Sequence, residues 1–259
     1  MNLKIEKSWL RGITLGLIIV GATFMSGCAS HYIPPSGRAD FATMTGSAAT
    51  GSTMQESFAA KPAAGFPAGL AVARVQDSHY RNYHIDQTGG VYGSGKYSVV
   101  TVKELGEETA LDTIAQLPQI GGITSISTML LPAKLESDRD LREAAARLKA
   151  DMLLLYTFET SFHDSDKALP LSVITLGLSP THQVAVHVTA SALLLDTRTG
   201  FIYATLEANE QRKVTTSAWL SEESADRARL DAEQTAFKAL VEEFKKSWPR
   251  VVERAKQGA

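Results

Sequence analysis

Six histidines, one cysteine and one glycine-rich stretch are the residues of this 259-residue chain whose types and spacing invite chemistry. Gly90 to Lys96 reads Gly-x-x-x-x-Gly-Lys, the spacing of a loop whose backbone amides cradle phosphate. Tyr97 stands where that loop needs a Ser or Thr hydroxyl for magnesium. The stretch also runs into a β-branched segment, not into the helix N-terminus that would hold the anion. It is therefore expected to be a glycine-rich loop without nucleotide. His31, His79, His84, His163, His182 and His187 contain no i, i+4 pair of the kind that binds zinc on a helix. His182 and His187 are five apart on a strand-like pattern, which points them to opposite faces. His79 and His84 share a polar stretch with Asp77 and Asp86 and read as solvated loop. His163-Asp164-Ser165-Asp166 holds the residue types of nucleophilic catalysis, but adjacency in sequence is not triad geometry. No Gly-x-Ser-x-Gly elbow occurs. The expectation is a protein that is not an enzyme, with no metal and no cofactor.

Cys28 is the exception. Lys4, Lys7 and Arg11 open the chain, an apolar run follows from Ile13 to Met25, and the small residues Ser26 and Gly27 precede Cys28. That is the layout of a secretory signal cut at Gly27/Cys28. The run is shorter than the roughly 20 residues of a membrane-spanning helix. Met25-Ser26-Gly27-Cys28 resembles the bacterial lipobox, with Met25 in place of the usual Leu. The resemblance implies a covalent lipid, diacylglyceryl plus an N-acyl chain (palmitate or a similar acid), on Cys28. More than one buried acyl chain makes residence on a membrane stable. A lone cysteine leaves no internal disulfide, and acylation removes a free thiol from an oxidising compartment. Ala29, not Asp, follows Cys28. By similarity to enteric sorting signals, this implies the outer membrane, facing the periplasm.

Composition sets the frame around that anchor. Residues 1–27 carry three positive charges and one negative, so their removal moves the net charge from −2 to about −4. No Lys/Arg run appears, which argues against nucleic acid. Residues 28–66 are rich in small residues, with Pro34-Pro35, Thr43 to Ser47 and Lys61 to Gly65, and lack hydrophobic periodicity. They read as a flexible tether; the alternative is a wrap around the domain or around a partner, with Phe41 and Phe66 as docking points. Residues 67–259 read as one folded domain.

Within it, Leu70 to Val75 and Tyr97 to Val102 read as strands and residues 77–96 as loop. Glu107 to Leu117 suits a short helix with Leu111 and Ile114 inward, and Ile123 to Leu131 a buried strand ended by Pro132. Ser137 and Asp140 fit a capping box ahead of Leu141, Ala144, Ala145 and Leu148 at helical spacing. Met152 to Phe162 and Val184 to Leu195 alternate apolar and polar residues. Asp196 to Gly200 is a turn, with Gly200 at positive φ, into a return strand where Ile202, Ala204 and Leu206 share a face. Glu222 to Lys256 forms a long helix with a stripe of Leu230, Phe237, Leu240, Val241, Phe244 and Trp248; Pro249 should kink or break it. These elements imply an α/β (α+β) fold: a mixed sheet with helices on one or both faces and a long C-terminal helix.

Two segments carry a family resemblance. Ala145 to Leu154, a helix end followed by Ala150-Asp151 and an apolar strand, is similar to a signature of periplasmic lipoproteins. These include the curli-secretion channel lipoprotein, the lipoprotein activators of penicillin-binding proteins, and a neisserial-type family of surface lipoproteins. Ala192 to Gly200 is similar to their apolar strand, Asp-x-x-Thr-Gly, return-strand hairpin. The resemblance covers roughly residues 68 to 245 and implies a single periplasmic domain.

In the channel family, the region matching 163–183 supplies a membrane-crossing hairpin. Here Leu169 to Leu178 is one apolar run interrupted by Pro170 and Gly177, a poor fit to paired barrel strands. Leu169, Leu171, Val173, Ile174, Leu176 and Leu178 are instead a candidate interface. The functional expectation is a membrane-anchored binding or scaffolding component of a cell-envelope assembly, partnered by another envelope protein or by copies of itself. The alternative is an oligomeric outer-membrane secretion-channel subunit.

Overall fold

The computed structural model describes residues 35, 37–46, 53–166, 182–216 and 222–258. Gly27, Cys28 and the run Leu169, Leu171, Val173, Ile174, Leu176, Leu178 lie outside them. The described elements, in order, begin with α1 (Phe41–Met44), α2 (Thr53–Ala59), β1 (Ala68–Asp77), α3 (Tyr83–Thr88), β2 (Val91–Tyr92) and β3 (Ser94–Gly95). There follow β4 (Tyr97–Val100), α4 (Glu107–Ala115), β5 (Ile120–Ser125), β6 (Lys134–Leu135) and α5 (Asp138–Arg147). The chain ends with β7 (Met152–Asp166), β8 (His182–Asp196), β9 (Ile202–Thr216) and α6 (Glu222–Gly258).

The fold is α+β. One mixed sheet runs β2-β4-β1-β7-β8-β9, and β5 also pairs with β1. The strand patterns decide which residues go to which face. On one face Leu70, Val72, Leu154, Tyr156, Phe158, Val186, Val188 and Ala190 meet α4 and the apolar stripe of α6. On the other, Ala71, Ala73, Val75, Leu153, Leu155, Leu193 and Leu195 meet Leu141, Ala144 and Ala145 of α5. Successive side chains of a strand point to opposite faces, so the buried runs of β1 and β7 serve both layers. No helix among the described residues is long and apolar enough to cross a membrane.

The long helix follows its expected stripe: Phe237, Leu240, Val241, Phe244 and Trp248 are all buried. It does not end at Pro249. Val251 and Ala255, beyond the proline, are buried in the same core as Trp248, and this packing carries the helix through a residue that removes one backbone donor. Pro249→Ala is therefore expected to stabilise the fold, by about 1–3 kcal/mol. A thermal melt checks this, and an unchanged or lower midpoint would refute it.

Other expectations shift at their edges. The loop 77–96 contains α3, capped by Asn82, whose side chain accepts from Ile85 N–H at 2.7 Å. The strand expected at 123–131 is instead β5, ending at Ser125, after which Thr128–Leu130 forms a 3-10 turn with Met129 exposed. It ends there because β5 pairs with Ala68 to Val72 only, while β4 takes the same edge from Arg74 to Asp77. Ile202 does not share a face with Ala204. A bulge in the β8–β9 ladder pairs Leu195 with Ile202 and Leu194 with Ala204, and the extra residue, Tyr203, turns into the core. Gly200 has φ 72°, as the turn requires.

Candidate functional site

The glycines of the Gly90 to Lys96 stretch sit at points of close packing. Gly95 lies in β3 against β6, where a side chain would collide with the Leu135 backbone, and one at Gly90 would collide with Val102. His79 is exposed, and its backbone N–H donates to the Asp77 carboxylate at 2.8 Å. His163 and His187, separated in sequence, are brought together with ring centroids 4.9 Å apart.

The strongest site among the described residues is one that spacing could not reveal. β4 and β5 share one edge of β1, and their carboxyl ends meet it around Val72 to Arg74. Both chains then leave the sheet, at Thr101 and at Ile126. Between them opens a cleft of about 260 Å³, lined by Arg74, Thr101, Glu107, Ser125, Ser127 and Tyr156 among others.

Beneath the cleft lies a buried ionic cluster. Arg74 is paired with Glu104 and with Glu233, each at 3.2 Å. Arg229, fully buried, is paired with Glu233 at 2.7 Å, Asp226 at 2.8 Å and Glu104 at 3.2 Å. Thr160 Oγ1 donates to Glu233 at 2.8 Å, and Arg74 donates to the Tyr80 hydroxyl at 3.0 Å. The Arg74 guanidinium also lies over the Phe158 ring, 4.9 Å from its centre. These residues come from β1, the loop after β4, β7 and α6, so the cluster ties both layers of that face together. Burial alone would raise the Glu104 pKa, but Arg229 and Arg74 outweigh it and hold the carboxyl below its usual range.

One group of the cleft keeps unused capacity. Arg74 Nε is buried and has no hydrogen-bond partner. A buried donor in that state calls for an occupant, a water or a ligand atom. Glu107 is pushed upward, chiefly by burial, although it accepts from Leu105 N–H at 2.8 Å. With the hydroxyls of Thr101, Ser125 and Ser127, this suits a small polar molecule.

A second constellation holds the segment expected to be a tether. Asp196 is fully buried. It accepts from Ala63 N–H at 2.7 Å, the Tyr203 hydroxyl at 2.8 Å, Arg198 N–H at 2.9 Å and Thr199 N–H at 3.0 Å. Thr199 Oγ1 donates to Lys61 O at 2.7 Å, and Phe66 tilts against Trp248 with centroids 6.2 Å apart. Upstream, Ala39 and Met44 are buried in the second core, and Ala39 N–H donates to Thr157 Oγ1 at 2.9 Å. Residues 38–44 and 61–66 thus pack on the domain, with Phe41 and Phe66 against its cores. The docking is made largely by main-chain groups, which leave no pattern in a small-residue sequence.

No family model matches the chain, and no curated protein matches its sequence. Among solved structures it is similar to protein XCC0632 of Xanthomonas campestris, family DUF330, at 11% identity and TM-score 0.32. The match covers 77% of this chain and 91% of that one. It is also similar to lipoprotein GNA1162 of Neisseria meningitidis, at 14% identity and TM-score 0.29, over 66% of this chain and 99% of that one. Likeness at this level decides nothing about what the chain does.

Proposed function

We propose that the chain is a lipid-anchored protein of the bacterial cell envelope whose folded domain binds or braces a partner and carries out no catalysis. The observation behind this reading is the ordered series in residues 1–28: positive start, short apolar run, small residues, then the sole cysteine. Ala29 favours the outer membrane as the anchored surface. The domain supports a binding role, because the charged groups beneath its cleft are engaged with one another. Arg74 and Arg229 are held by carboxylates, and Glu107 bonds the backbone of Leu105.

The docked segment sets how far the domain stands from its anchor. Arg38 already pairs with Gln76 of β1. Ten residues separate it from Cys28, a reach of at most about 36 Å. A tether running freely from 28 to 66 would span much more.

Cys28→Ser is the test. The unaltered chain should sediment with membranes and incorporate labelled fatty acid, and the variant should do neither. A Cys28→Ser chain that stays equally membrane-bound would overturn the anchor. The native mass in mild detergent then separates the two forms of the reading. A monomer or dimer supports a binding protein; a discrete ring of many subunits supports a secretion-channel subunit.

A further inference from the structure

β7, β8 and β9 run on well beyond β1, which pairs with β7 only from Met152 to Leu155. One face of this extension packs on α6 through Phe158, Val186 and Val188. The register places the other set of residues side by side: Ser161 opposite His187, His163 opposite Ala185, and His187 opposite Gln211. His163 and His187 are therefore diagonal neighbours on the face turned away from α6. His163 is exposed and His187 half-buried. Their ring centroids are 4.9 Å apart, with the planes at 73°. Gln211 Nε2 lies 3.2 Å from His187 Nε2.

We propose that His163 and His187 form a two-imidazole site for a divalent transition-metal ion, with the Gln211 amide beside it as a third, weaker donor. Imidazole nitrogens sit about 2.0–2.1 Å from zinc, and two rings sharing one ion at an angle of about 90–110° have centres about 4.5–5.2 Å apart. The observed 4.9 Å falls in that range, so an ion is received by turning the rings and without moving the strands. Both residues stand on paired strands, which hold a site more tightly than loops do. Imidazole suits zinc, nickel and copper, and leaves magnesium and calcium to oxygen-rich sites.

No group of three or more His, Cys, Asp or Glu side chains that could hold a metal occurs among the described residues. The pair therefore leaves coordination positions open, to water or to a donor from another molecule. Lys213 lies in the same row as His163, across Ala185, and is exposed. Its charge weakens binding without blocking it.

The test is calorimetric titration of the full chain, purified without a histidine tag, with Ni²⁺ alone and with Zn²⁺ alone. The expected result is one saturable ion per chain, weakened at least tenfold by His163→Ala and by His187→Ala. Gln211→Glu, which adds a carboxylate next to His187, should tighten binding about tenfold. All three positions face solvent at least in part, so thermal melts of the variants should match the unaltered chain and separate lost ligation from lost folding. Uptake that is absent, or that is unchanged in either histidine variant, would overturn the assignment.

Discussion

Arg229→Met is expected to lower the free energy of unfolding by about 3–5 kcal/mol, the scale for breaking a buried ion pair from one side. The guanidinium is fully buried and faces Glu104, Asp226 and Glu233. Methionine fills much of the volume but leaves those carboxylates short of a counter-charge, with only Arg74 reaching Glu104 and Glu233. The penalty arises from stranded charge, not from a lost attraction. Replacing Arg74, Glu104, Asp226, Arg229 and Glu233 together with apolar residues of similar volume should therefore be far milder than the single change. Urea unfolding of the two variants checks both statements. A loss under 1 kcal/mol for Arg229→Met would mean that water or side-chain rearrangement rescues the carboxylates.

The same cluster has a signature in acid. Glu104 is held below its usual range in the fold. Its contribution is therefore fully present above the ordinary pKa of an unfolded glutamate and is lost as pH falls through the depressed folded value. Arg229→Met removes one of the two arginines responsible, so the acid limb of its stability profile should be shallower than that of the unaltered chain.

Asp196→Ala should cost about 2–4 kcal/mol, because four donors lose a charged acceptor at once and at least one of them, the Tyr203 hydroxyl, is buried. Its larger effect is local. Ala63 N–H depends on the Asp196 carboxylate directly, and Ala64 N–H donates to the Tyr203 hydroxyl that the same carboxylate orients. Hydrogen exchange at these two amides should rise by a hundredfold or more, while amides of β1 and β8 change only as far as global stability does. Equal protection at Ala63 in the variant would show that Phe66 against Trp248 holds the segment alone. Burial raises the Asp196 pKa, but the hydrogen bonds from Ala63, Thr199, Tyr203 and Arg198 overcome it and the pKa ends lowered. The sign is that of Glu104: the clasp is complete at neutral pH and weakens as pH falls through the folded value.

Much of this molecule is legible in one dimension. The faces of β7 and β8, the α6 stripe, the Ser137 and Asp140 start of α5 and the Gly200 turn all follow from spacings of two to four residues. A strand or a helix imposes those spacings whatever surrounds it. The Asp140 carboxylate does accept from the Ser137 N–H, at 3.0 Å. Cys28 and the Leu169 to Leu178 run are also sequence readings, and they lie outside the described residues. Where expectation and structure part, the cause is a partner far along the chain. β5 stops because β4 occupies the rest of the β1 edge, and Ile202 faces out because a bulge inserts Tyr203.

The sites belong wholly to that second category. Arg74, Glu104, Thr160, Arg229 and Glu233 form one cluster although up to 159 positions separate its bonded members. His163 and His187 meet only because fifteen rungs of the β7–β8 ladder set their register. Asp196 announces a turn in the sequence, and only the folded chain shows that its second carboxylate oxygen holds Ala63. Periodicity reports which way a residue faces within its own element. What it faces is set by the packing of elements on one another, a property of the whole chain that no local spacing encodes.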